Sequence, residues 1–304
     1  MTKPWKDPSP HRSFFVKSNG VRIHCLDWGG RGPPLILIHG ITDNPHAFDD
    51  LALRLKPWFR VIAYARRGHG LSDARGPYNA ATLTEDLRGV MDRLGIRKAH
   101  LAGWSMGGLE TTGMAAEYPS RVLGIVYLDA AYDFTDKANR RAKSPPVRFR
   151  PPRSAFRSFE AYRRWFLSLF PELTHAGWLD AYLRENLVMK SDGSVRLRMP
   201  PRAEAAMAKT LMSEPKEYES VHAPVLAIYA TSLLDPRCKV IKGGNIPCWE
   251  RKYMAPFRNR SIAQIRKALP EVRILRVPGS HGGFFTTSAG PVATAMHRFL
   301  KRPM

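Results

Sequence analysis

Residues 101–108, L-A-G-W-S-M-G-G, decide the reading of this chain. A strand-like run from Ala99 to Ala102 breaks at Gly103, and helical periodicity restarts after Ser105 in M-G-G-L-E-T-T-G-M-A-A-E-Y. Gly103-Trp104-Ser105-Met106-Gly107 therefore fits G-x-S-x-G at a strand-to-helix turn. So tight a turn needs almost no side chain two residues to either side of the serine. It also lifts the hydroxyl above the sheet at a helix N-terminus, where free N–H groups and the helix dipole favour negative charge. A serine hydroxyl is a weak nucleophile near neutral pH, so it needs a base within reach and donors for a developing oxyanion.

Outward from that turn the chain alternates strands and helices. S-F-F-V-K-S-N-G-V-R-I-H-C-L-D-W reads as a hairpin pivoting on Asn19-Gly20, and Cys25 falls on its apolar face. P-L-I-L-I-H-G and F-R-V-I-A-Y-A are short continuous apolar runs, as expected of strands buried on both faces. A helix is expected near His46 to Lys56. A second begins at Thr82, with Thr82 and Glu85 as a capping box, an apolar face of Leu83, Leu87, Val90, Met91 and Leu94, and a stop at Gly95. After the strand G-I-V-Y-L-D, regularity ends near Ala131 and resumes at A-P-V-L-A-I-Y-A. A helix over 261–269, the strand V-R-I-L-R-V and a last amphipathic helix through Val292, Met296, Phe299 and Leu300 follow. This order predicts an α/β fold, a mostly parallel sheet with helices on both faces. Residues 1–131 and 220–304 form the core, and 132–219 form an inserted helical lid.

The base expected for Ser105 is His281, in V-P-G-S-H-G-G-F-F, a glycine-flanked loop between the last strand and the last helix. His69, in R-R-G-H-G-L-S-D, and His39, before Gly40, are its competitors. The oxyanion donors expected are the backbone N–H groups of Met106, beside the nucleophile, and of Ile41, after His39-Gly40.

These marks, in this order, resemble the α/β-hydrolase fold superfamily over nearly the whole chain: H-G-I-T, R-R-G-H-G-L-S-D, G-W-S-M-G-G, L-D-A-A and G-S-H-G-G-F. The resemblance implies an eight-stranded, mostly parallel sheet with the lid between its sixth and seventh strands, as in esterase-like serine hydrolases with a short helical lid. Epoxide hydrolases and haloalkane dehalogenases, with aspartate at the elbow, are disfavoured by Ser105. The triad acid is where the chain departs from the pattern. The turn that usually holds it reads A-T-S-L-L-D-P, with Leu233 at the expected place and Asp235 two residues on. Asp129, ending V-Y-L-D, is the alternative and is preferred here. Either keeps the order Ser, Asp, His.

The activity this implies is hydrolysis of a carboxylic ester or lactone through an acyl-enzyme, with no cofactor and no metal. Trp104, Tyr162, Trp165, Phe166, Phe170 and Trp178 are expected to wall a pocket for a small acyl substrate. Carbon–carbon bond hydrolysis and perhydrolysis use the same triad; a non-enzymatic ligand-binding protein is the reading from another class.

Bulk composition bounds the rest. The 48 Lys and Arg against 26 Asp and Glu give a formal charge of +22, a surface that attracts anions. The excess is concentrated between Lys137 and Arg164, where Glu160 is the lone acid facing Lys137, Arg140, Arg141, Lys143, Arg148, Arg150, Arg153, Arg157, Arg163 and Arg164. No nucleic-acid-binding module accompanies it. No apolar run reaches membrane-spanning length, and the opening lacks a signal-peptide core, so a cytoplasmic chain is the default expectation. Cys238 and Cys248 could close a disulfide, which would suit an exported form instead. Oligomeric state is not legible.

Overall fold

The structure, a computed structural model, describes residues 5–136 and 144–301; Lys137, Arg140, Arg141 and Lys143 of the basic stretch lie outside them. The opening hairpin pairs β1 (Arg12–Ser18) with β2 (Val21–Gly29). Its turn holds Asn19 at φ 44° and Gly20 at φ 77°, two successive left-handed residues that Asn-Gly tolerates best. There follow β3 (Pro34–Ile38), α1 (Asp49–Leu55), β4 (Arg60–Tyr64), α2 (Ala80–Arg93), β5 (Ala99–Trp104), α3 (Gly107–Glu117) and β6 (Val122–Leu128). The chain then leaves the sheet for α4 (Phe159–Leu169), α5 (Leu179–Asn186), a small hairpin of β7 (Leu187–Met189) and β8 (Val195–Leu197), and α6 (Pro201–Ser213). It returns through β9 (Val225–Ser232), α7 (Ile246–Trp249), α8 (Ala255–Ala268), β10 (Arg273–Ser280), α9 (Phe284–Thr287) and α10 (Ala289–Leu300).

Eight strands form one sheet in the order β1-β2-β4-β3-β5-β6-β9-β10. The pairs β1–β2 and β2–β4 are antiparallel and the rest parallel. The inner strands are largely apolar on both faces because both faces are covered, with Arg60 and His100 near the starts of β4 and β5 as exceptions. Leu35, Leu37, Val61, Ala63, Val126 and Leu128 face one core, beneath α1 and α10. Their chain neighbours Ile36, Ile38, Ile62, Tyr64, Ile125 and Tyr127 face the other, beneath α2, α3 and α8. Cys25 is buried in this second core. Among the described residues no helix is long and apolar enough to cross a membrane.

Local details differ from the sequence reading. Helix α2 starts two residues before Thr82, because the Asn79 side chain accepts the Thr82 N–H at 2.9 Å. The capping box thus does not form, and Glu85 instead binds Arg88 and the Tyr118 hydroxyl. The β7–β8 hairpin interrupts the expected all-helical insertion, turning at Gly193 with φ 80°. Helix α8 begins at Ala255 rather than near Ser261, with Pro256 in its first turn. Cys238 and Cys248 are free thiols. The Cys238 thiol is buried and donates to the Leu169 carbonyl, whereas the short helix α7 carries Cys248 outward to solvent.

Candidate active site

The turn between β5 and α3 holds Ser105 at φ 54°, a left-handed conformation that costs a non-glycine residue about 1–2 kcal/mol. Both flanking glycines are sterically required. A Cβ on Gly103 would stand 2.4 Å from the Gly107 carbonyl oxygen, and one on Gly107 would stand 2.3 Å from that of Ile38. The Ser105 N–H donates to the Leu128 carbonyl at 3.2 Å, tying the turn to the end of β6.

One residue further along β6 stands Asp129, fully buried and also left-handed, at φ 48°. Its Oδ2 lies 2.6 Å from His281 Nδ1, and its Oδ1 accepts the Tyr132 hydroxyl at 2.6 Å and the Ala230 N–H at 3.2 Å. Donation from Nδ1 leaves Nε2 as the nitrogen with the lone pair. His281 directly follows β10, and its backbone is held from both sides: its N–H donates to the Leu233 carbonyl at 3.2 Å, and its carbonyl accepts Trp104 Nε1–H at 3.1 Å. Asp235, the competing acid, is instead gripped by the guanidinium of Arg237 at 2.9 and 2.7 Å, which holds its carboxyl below the usual range. At the place where the sequence pattern calls for an acid, Leu233 contributes backbone in place of a carboxylate.

These contacts close into a ring. The Leu233 N–H donates to Glu250 at 2.9 Å, Arg258 binds Glu250 at 2.7 Å and the Tyr132 oxygen at 3.2 Å, Tyr132 binds Asp129, Asp129 binds His281, and His281 returns to Leu233. Tyr132, Glu250 and Arg258 carried no sequence signal, since the first lies in the irregular start of the insertion and the others before the helix expected from Ser261.

The loop after β3 completes the edge. A Cβ on Gly40 would lie 3.2 Å from Ser105 Cβ and 2.5 Å from Asp43 Oδ2. His39 and His69, the rival histidines, are buried in hydrogen bonds: His39 Nε2 accepts the Arg66 N–H at 3.0 Å, and His69 Nε2 accepts the Thr42 N–H at 3.2 Å. Burial and the neighbouring Arg66 charge drive both below the ordinary histidine range, His69 to about 3. Arg66, buried against Glu110, donates to the carbonyls of His39 and Gly40 at 2.8 and 3.2 Å. Asp43 was missed by the sequence reading. Its carboxyl accepts the Tyr182 hydroxyl of α5 at 2.6 Å, and burial pushes it up to about 7 against the lowering effects of Tyr182, His281 and Arg66.

The alpha/beta hydrolase fold family matches residues 33–178, the stretch from β3 through the elbow and into the insertion. The 2-(acetamidomethylene)succinate hydrolase of Mesorhizobium japonicum is 31% identical over 211 residues, 67% of this chain and 72% of the relative. The chain belongs to the α/β-hydrolase fold family. Hydrolysis is the chemistry for which this relative is named. Among solved structures, an E-2-(acetamidomethylene)succinate hydrolase superposes with a TM-score of 0.72 at 23% identity, covering 96% of this chain and 100% of that one. The enol-lactonase from Burkholderia xenovorans LB400 superposes with a TM-score of 0.63 at 20% identity, covering 95% and 100%. At such identities these likenesses speak for the fold.

In this α/β-hydrolase the aromatics singled out from the sequence take different places. Trp104 sits beneath His281, ring centroids 5.7 Å apart. Phe170, following α4, covers the loop after the histidine: a Cβ on Gly282 would come within 2.9 Å of its ring. Beside it Glu172 binds the Ser280 hydroxyl and fills the space a side chain on Gly283 would need. Phe166 packs on Phe170 and Tyr182, and Trp178 donates to Asp50 at 3.1 Å. Tyr162 and Trp165 pack on each other, centroids 5.1 Å apart; Trp165 borders a separate cluster with Leu169, Leu234, Cys238 and Ile246. A cavity of about 1260 Å³ opens at the other edge of the sheet, among Trp58, His100 and Leu300, and contains none of these residues.

Proposed function

We propose that this α/β-hydrolase is a serine hydrolase that cleaves a small carboxylic ester or lactone through an acyl-enzyme. The observation that carries the reading is the 2.6 Å Asp129–His281 pair at the same sheet edge as the left-handed Ser105. Ser105 Oγ attacks the acyl carbon while His281 Nε2 takes its proton, and Asp129 fixes the tautomer and balances the imidazolium. His281 then hands the proton to the departing oxygen. Water, deprotonated by the same nitrogen, attacks the acyl-enzyme, releasing the acid and restoring Ser105. The N–H groups of Ile41 and Met106 serve the oxyanion. In a trans peptide the N–H points opposite to the carbonyl, so the grip of Arg66 on the Gly40 carbonyl aims the Ile41 N–H away from Arg66. Residues 132–219 act as the lid, with α5 hooked to the oxyanion loop through Tyr182 and Asp43.

A second reading, a small amide bearing carboxylates, is favoured by the name of the Mesorhizobium relative together with the +22 charge. A panel of p-nitrophenyl esters, lactones, diketones and acetamido dicarboxylates separates the two. Ester or lactone turnover far above the rest is the expected result, and turnover confined to the amide or diketone arm overturns it. Within that panel, kcat/KM for anionic substrates should fall between about 0.01 and 0.15 M salt, as the screening length shrinks from roughly 30 to 8 Å, while neutral esters stay level.

Asp43 sets a pH limit. The fold keeps its proton up to about pH 7, whereas the unfolded chain releases it near pH 4. The fold therefore binds more protons than the unfolded chain in that window, and this group's contribution to stability falls as pH rises through it. The Asp43→Asn variant, which retains an acceptor for Tyr182, should melt above the wild type at pH 8 and level with it at pH 4. Equal offsets at both values in thermal melts would remove Asp43 as the titrating group.

A further inference from the structure

Beside the active site, three segments far apart in the sequence bring imidazoles and carboxylates together at a second place. Asp7 and His11 come from the arm before β1, His46 from the short helical turn between Asn44 and α1, and Glu185 from α5. Asp7 Oδ2 lies 3.0 Å from His11 Nε2 and 3.6 Å from His46 Nε2, and the three ligand atoms all fall within 4.8 Å of one another. Glu185 Oε2 stands 3.3 Å from the same His46 nitrogen. We propose that Asp7, His11 and His46 form a zinc-binding site, with Glu185 on its fourth side, that staples the N-terminal arm to the loop carrying Ile41 and to the insertion.

The spacing supports a cation. Zinc held by nitrogen and oxygen at 2.0–2.1 Å in a tetrahedron has neighbouring ligand atoms about 3.3 Å apart; the Asp7–His11, Asp7–His46 and Glu185–His46 separations of 3.0, 3.6 and 3.3 Å lie about that value, and the His11–His46 separation is within 4.8 Å. As a plain hydrogen-bonded network the cluster satisfies His46 through Asp49 and Glu185 but leaves a buried nitrogen over. The His11 side chain is only 3% exposed and its Nε2 faces Asp7, yet its Nδ1 has no hydrogen-bond partner, a costly state for a buried polar atom. The carboxylates Asp7, Asp49 and Glu185 also crowd together here. Among the described residues none of them is bridged by Lys or Arg, in a chain with 48 such cations.

The surroundings orient the ligands as a metal site requires. His46 Nδ1 lies 3.0 Å from Asp49 Oδ2, and a proton there leaves Nε2 as the ligating atom; Asp49 in turn accepts the Ser9 hydroxyl at 2.7 Å. Such a carboxylate behind a ligating histidine fixes its tautomer and raises its basicity. Asp7 spends Oδ1 on the Ser9 N–H at 2.9 Å, leaving Oδ2 for the cluster. Glu185 spends Oε1 on His24 at 3.1 Å, leaving Oε2. Two imidazoles with carboxylate oxygen suit zinc over the harder cations.

The test uses the full, tag-free chain stripped with EDTA. Calorimetric titration with zinc should show one equivalent per chain, and cobalt(II) in its place should give the strong visible bands of a tetrahedral site. Zinc should raise Tm by several degrees. His11→Ala and Asp7→Asn should each weaken zinc binding by at least about tenfold, while exposed His222→Ala leaves it unchanged. Asp7 lies in an arm outside the core, so Asp7→Asn folds even if His11→Ala does not. The proposal is overturned by a stripped chain that takes up no stoichiometric zinc, or by binding that survives in Asp7→Asn with wild-type affinity.

Discussion

Ser105→Ala should abolish turnover, with kcat for a short p-nitrophenyl ester falling by about 10⁴–10⁶ and labelling by a fluorophosphonate probe disappearing. The serine is the one residue whose oxygen changes its bonding partner in both half-reactions, so no neighbour can take over its step. Alanine at φ 54° bears much the same backbone strain as serine, which should leave Tm within a few degrees of wild type. Loss of activity can then be read as lost chemistry. Probe labelling that persists in Ser105→Ala would move the nucleophile elsewhere. A folded wild type that neither labels nor turns over any member of the panel would favour the ligand-binding reading instead.

Asp129→Asn should cost about 10⁴ in kcat, and Asp235→Asn should remain near wild type. The asparagine fits the same space but places an amide where a carboxylate accepts from His281, so the imidazole loses the partner that fixes its tautomer. The same carboxylate accepts from Tyr132 and Ala230, and some stability should be lost as well; kcat measured on the folded fraction separates the two effects. Among the described residues the Asp235 carboxylate holds only Arg237 and its own turn, at the edge of solvent, so its loss touches neither histidine nor serine. If both variants stay within about tenfold of wild type, the assignment of a triad acid fails.

Much of this molecule could be read before any coordinate was known. The unbroken apolar run at Leu35–Ile38 and the short strand-like segment Ala99–Ala102 read as strands covered on both sides, and Gly103 and Gly107 marked a turn that tolerates no Cβ. Those features rest on local sterics and on periodicity, which are written residue by residue. The Asn19-Gly20 hairpin is legible for the same reason. Misreadings arose where two local signals competed, as at Asn79 and Thr82, both able to cap α2. They also arose where a segment had no period of its own, as between Cys238 and Met254.

What the chain determined by itself is the order of strands and helices, the tight strand-to-helix turn at Ser105 and the family to which it belongs, because each follows from patterns spanning a few residues. What only the tertiary structure decided is which aspartate meets His281, why Leu233 can stand where an acid is expected, and that Asp43 and Tyr182 join the loop after β3 to the insertion. These are meetings between residues up to 152 positions apart. They depend on the stagger of strand ends and on which buried groups find partners, and neither leaves a mark on the sequence nearby.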